Sequence, residues 1–139
     1  MRFFDSFTPK LALRIVLSIL SLVLLFHLVV MVGIVPYKIV WGSKLHSINQ
    51  MLLYEWITIL ITAIILLVFL IKARLIKTFL PLAIVNFLLW IVFVFYSINT
   101  LLILTSGTSI EKAVFTFLSF LMALSTYRLA KEKSFVSFK

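Results

Sequence analysis

Four runs of about twenty apolar residues, none with an acid or base near its middle, constrain this chain more than any other feature. They cover roughly 10–32, 51–71, 78–98 and 110–130. At a rise of about 1.5 Å per residue, each is long enough to cross about 30 Å of hydrocarbon. A backbone in lipid has no water to bond, so only helices and closed barrels span it. None of the runs alternates with the period of two that a barrel strand needs, so all four are expected to be helical. Composition agrees. The chain is 64% hydrophobic and only 12% charged, with a mean hydropathy of +1.26. Soluble domains are about 45–50% apolar and about 25% charged. A water-soluble core of 139 residues cannot hide that much apolar surface. The expected fold is an all-α integral membrane four-helix bundle, a single domain over 1–139.

Local signals mark the helix ends. Thr8 followed by Pro9 suits a helix start, with a capping hydroxyl and a proline at the first helical position. Gly33 and Pro36 end that helix. Ser47-Ile48-Asn49-Gln50 and Thr108-Ser109-Ile110-Glu111 read as capping patterns before the second and fourth runs. Pro81 is tolerated in the first turn of the third, where no internal hydrogen bond is lost. The stretch 99–109 reads either as an extension of the third helix or as a short apolar loop. The first run is too long for a signal peptide and lacks a small-residue cleavage site, so it is expected to be retained.

The net charge of +9 reflects the flanks of the spans rather than nucleic-acid binding. Of the 13 lysines and arginines, all but Lys38, Lys44 and Lys112 lie at the amino terminus, in the 72–77 turn or at the carboxyl terminus. By the positive-inside rule both termini face the cytoplasm, and the 33–50 and 99–109 segments face outward. With no cysteine, disulfides, thiolate metal sites and cysteine nucleophiles are excluded.

Candidate chemistry gathers in the stretch from Gly33 to Glu55. Glu55 lies about one turn inside its span, where a carboxylate needs protein, a partner cation or water beside it. Thr58 and Thr62 continue its helical face. His27 enters the first span to a similar depth, about 9 Å from its outer end, so a His27–Glu55 pair is geometrically possible. Such a pair can exchange protons, because histidine titrates near neutral pH. Two readings stand for Glu55. It ties down the outer loop through Lys38, Lys44 or Trp41, or it serves binding or coupling. Tyr37, Trp41 and Trp56 read first as an interfacial aromatic belt. The candidate ligand-binding set is Glu55, His27, Tyr37, Trp41, His46, Thr58 and Asn99.

Two further faces read as packing. They are Asn86, Trp90, Phe93 and Ser97 on the third span, and Thr116, Ser119, Ala123 and Thr126 on the fourth. Arg128, Lys131 and Lys133 read as an inner anchor attracted to anionic headgroups. No span is broken by glycine or proline at mid-depth, as the binding helices of many carriers are. A phosphate loop, an HExxH motif and a Ser-His-Asp order are all missing. His27 and His46 do not form a paired-helix haem site. A zinc site would need two loops to bring His27, His46, Glu55 and Glu111 together. No cofactor or metal is expected.

Pro36-Tyr37, Trp41-Gly42, Leu45, Glu55, Asn99-Thr100 and Glu111-Lys112 resemble a group of small, uncharacterised four-span proteins of the bacterial inner membrane. That resemblance covers nearly the whole chain. It implies the same architecture and location, and no activity.

The leading expectation is a non-enzymatic membrane protein. An outward-facing pocket under the 33–50 loop would bind an amphipathic ligand, a lipid or a partner's helix. A small transporter or channel subunit acting as an oligomer is one alternative. A lipid-modifying enzyme using Glu55 with a histidine is the other. The expected partners are membrane lipid and a second copy or another membrane protein, not nucleic acid.

Overall fold

A computed structural model of the chain describes residues 7–36, 47–105 and 109–137, the side chains of 109–112 excepted. Among these residues there are four α-helices and no strands: α1 Pro9–Met31, α2 Ile48–Lys72, α3 Leu82–Thr105 and α4 Ser109–Ala130. All four are long and apolar enough to cross a membrane. Large side chains such as Leu22, Leu25, Leu60, Phe87 and Phe120 are exposed along them. Such exposure is unfavourable in water by about 25 cal/mol per Å² and is relieved in hydrocarbon.

The helix starts follow the local signals. The Thr8 hydroxyl accepts the Leu11 amide at 3.2 Å, and the Ser47 hydroxyl accepts the Gln50 amide at 3.2 Å. Each satisfies an amide that has no partner within its own helix. The third helix differs most from the expected 78–98. It begins at Leu82 and runs through Thr105. Proline disfavours helical backbone in the residue before it, which keeps Leu80 out of the helix. Pro81 instead stands just ahead of the helix, its carbonyl accepting the amides of Ile84 and Val85. At the far end, 99–105 extends the helix because its polar side chains find partners. Asn99 Nδ2 donates to Ser119 Oγ at 3.0 Å, Thr100 Oγ1 has its single proton to place between the Tyr96 carbonyl at 2.7 Å and Ser119 Oγ at 3.0 Å, and the Thr105 hydroxyl bonds the Leu102 carbonyl.

The chain falls into two compact units. One comprises Met1–Ser18 and Val68–Lys139. Within it α3 packs along α4. Val85, Leu89 and Val92 are buried on α3, and Ser119, Met122, Ala123, Thr126 and Ala130 on α4. Small residues let helix backbones approach closely in lipid. Tyr127 meets Trp90 edge-on at 5.7 Å and Phe93 at 5.5 Å between ring centroids. Asn86 and Ser97 hydrogen-bond at the two ends of that α3 face, as its residue pattern suggests.

The other unit, Ile19–Leu67, holds the carboxyl-terminal part of α1 and most of α2. Leu20 and Val30 are buried on α1, and Met51, Glu55, Thr62 and Ile65 on α2. The two polar members of that set set this unit apart from an ordinary apolar hairpin.

Candidate functional site

α2 is apolar over 25 residues, so a carboxylate within it must be compensated by its surroundings. Glu55 sits seven residues into the helix, about 10 Å from its first residue. Its side chain is 0% exposed. His27 lies four residues before the end of α1 and is 14% exposed. The two meet at 2.8 Å, Nδ1 to Oε2. At that distance the imidazole and the carboxyl share one hydrogen bond, in which either the ring nitrogen or the carboxyl can carry the proton. The Phe26 ring stands edge-on to the imidazole at 5.6 Å. A paired acid and base thus lie within an apolar unit, with the imidazole as the partly exposed side.

The other candidates divide. The Thr58 hydroxyl donates to the Tyr54 carbonyl at 2.9 Å, so its proton is spent on its own helix. Thr62 is buried. Asn99 belongs to the other unit and bonds Ser119. Tyr37, Trp41 and His46 lie outside the described residues, as do Lys38 and Lys44, the cations proposed to hold Glu55. Among the described residues no group of three or more His, Cys, Asp or Glu side chains could hold a metal ion.

A second polar cluster was not anticipated. Lys72, read from the sequence as a flanking cation, is fully buried at the last residue of α2. Its ammonium donates to Asn86 Oδ1 at 2.6 Å and to the Glu132 carbonyl at 2.9 Å. Asn86 Nδ2 reaches the same carbonyl at 3.1 Å. The Val136 amide then bonds the Lys72 carbonyl at 3.0 Å. These bonds clamp the segment after α4 onto the end of α2. The available signal was register: Lys72 falls seven residues after Ile65 and three after Phe69, both buried. Of the expected inner anchor, Arg128 is engaged by the Glu132 carboxylate and the Phe7 carbonyl, each at 3.2 Å. Lys131 lies over the Tyr127 ring at 5.2 Å.

The chain matches no protein-family model, no curated protein and no solved structure, so the resemblance read from its residues assigns it to no family.

Proposed function

We propose that this is a non-enzymatic multi-pass protein of a bacterial inner membrane that binds an amphipathic ligand carrying a cationic or hydrogen-bonding headgroup. Both termini lie in the cytoplasm, and the binding pocket opens outward beneath the 33–50 loop. The observation that carries this is the His27–Glu55 contact at 2.8 Å, with the carboxyl buried and the imidazole partly exposed. Holding an acid and a base away from water is unfavourable, and two well-packed apolar residues would serve stability as well or better. Glu55 is the group that orients a positive or donor headgroup. His27 is its resident partner, displaced or retained as the ligand enters. The chain's apolar helices accept the tail.

Thermal unfolding of the detergent-solubilised chain tests this with a panel of single-chain amphiphiles that share a tail and differ in headgroup. Cationic or amine-bearing members should raise the wild-type melting temperature more than neutral or anionic ones. Glu55→Gln should remove that difference. An unchanged ranking in Glu55→Gln would reject the site.

A further inference from the structure

Two of the helices end in the same turn, with different residues at its left-handed position. After α1, the Gly33 amide bonds the Val30 carbonyl at 2.9 Å and the Ile34 amide bonds Val29 at 3.2 Å, with Gly33 at φ 85°. After α2, the Arg74 amide bonds Ile71 at 3.0 Å and the Leu75 amide bonds Leu70 at 3.0 Å, with Arg74 at φ 55°. Glycine is the usual residue here because a Cβ is unfavourable in this conformation. Arg74 gains nothing at the turn itself, so its side chain is where a use must be sought.

That side chain borders a cleft of about 460 Å³, lined chiefly by Ile71, Arg74, Ile76, Lys77, Thr78 and Phe135. The Arg74 guanidinium lies 4.6 Å from the Phe135 ring centroid. Stacked in this way, it keeps its N–H edges available for a planar pair of oxygens. Among the described residues, neither Arg74 nor Lys77 forms an ion pair. No acid occurs in the sequence between α2 and α3. The Thr78 oxygen accepts the Leu80 amide at 3.2 Å, which leaves its proton to donate. Around these polar groups the turn is apolar and exposed: Leu75, Ile76 and Leu80 are open, and Phe79 is entirely so. Two uncompensated cations within an apolar turn at the end of a candidate span fit the boundary between headgroups and acyl chains.

We infer that this cleft binds an anionic glycerophospholipid, separately from the ligand proposed for Glu55. Arg74 and Lys77 hold the phosphate oxygens and Thr78 donates a third bond. Ile71, Ile76 and Phe135 receive the glycerol and the first acyl carbons. Arg74 and Glu55 belong to different compact units, and the two sites take different molecules.

The full-length chain, reconstituted in bilayers of equal phosphatidylglycerol and phosphatidylcholine, is extracted in mild detergent and its retained lipid measured by native mass spectrometry. The wild type should retain phosphatidylglycerol preferentially. Loss of a cation near a membrane surface should lower that preference about fivefold, and Arg74→Gln with Lys77→Gln should lower it further. Arg74→Gly should lose the preference while keeping the turn, which separates binding from folding. Lys131→Gln with Lys133→Gln removes the same charge from the inner anchor, outside the cleft, and should lower the preference far less than the cleft pair does. An equal loss in that control would assign the effect to general surface charge and overturn the site, as would a wild type with no preference. Displacement of the lipid by inorganic phosphate as readily as by dioctanoyl-phosphatidylglycerol would overturn the phospholipid as occupant.

Discussion

His27 Nδ1 and Glu55 Oε2 lie 2.8 Å apart, joining α1 to α2 across 28 positions of sequence. Removing one partner of a buried pair leaves the other uncompensated, which typically costs about 3 kcal/mol or more. Glu55→Ala is therefore expected to destabilise the chain by about 3 kcal/mol in a reversible unfolding titration in mixed micelles. His27→Leu combined with Glu55→Met should return to within about 1 kcal/mol of wild type, because neither polar partner remains. The double variant should still lose discrimination among amphiphile headgroups, which a purely architectural pair would not predict.

The Lys72 clamp gives a local readout. Lys72→Met removes bonds to Asn86 and to the Glu132 carbonyl, each made by a charged donor. Hydrogen bonds to charged groups contribute about 1.5–3 kcal/mol. Hydrogen exchange should quicken at the Val136 amide, which bonds the Lys72 carbonyl, while amides at the centre of α3 keep their protection. Equal acceleration throughout would show that the clamp supports the whole fold rather than its terminal segment.

Backbone conformation at Arg74 predicts an inverted ranking of small residues. Arg74→Ala and Arg74→Gly both remove the guanidinium and its contact with Phe135. Only alanine still places a Cβ in the left-handed region at φ 55°. Arg74→Gly should be more stable than Arg74→Ala by about 1 kcal/mol, the reverse of their order inside a helix. The comparison needs only melting curves of the two variants.

Ser119 receives Asn99 and Thr100 from α3 and donates to the Tyr96 carbonyl at 3.1 Å. Side-chain hydrogen bonds between helices in lipid average about 0.6 kcal/mol, so Ser119→Ala should cost no more than about 1 kcal/mol. Ser119→Phe should cost several times more, since it forces apart two helices in close contact. A large loss in Ser119→Ala alone would mean that the bonds, rather than the close approach, hold this hairpin.

The proposed topology can be tested cleanly because the chain has no cysteine of its own. Ser47→Cys should react with an impermeant maleimide on intact cells. Ser134→Cys should react only after the membrane is permeabilised. The opposite pattern would invert the orientation drawn from the lysine and arginine distribution.

Four helices long and apolar enough to cross a membrane were legible because length and hydropathy are sums along the chain, indifferent to what packs beside it. The starts at Thr8 and Ser47 and the stop at Gly33 were legible for a related reason: their hydrogen bonds close over a few residues. The possible meeting of His27 and Glu55 followed from depth alone, which a constant rise per residue supplies. Where a polar side chain finds its partner depends instead on the rotation and height of neighbouring helices. Tertiary structure therefore decided that Asn99 and Thr100 extend α3 toward Ser119 instead of opening a loop. It likewise turned Lys72 from a flanking charge into a buried clamp. Arg74 stayed hidden because nothing in its local sequence announces a left-handed arginine. Its conformation is set by the turn that ends α2, and the cleft beside it takes shape only when Phe135 arrives from the far end of the chain.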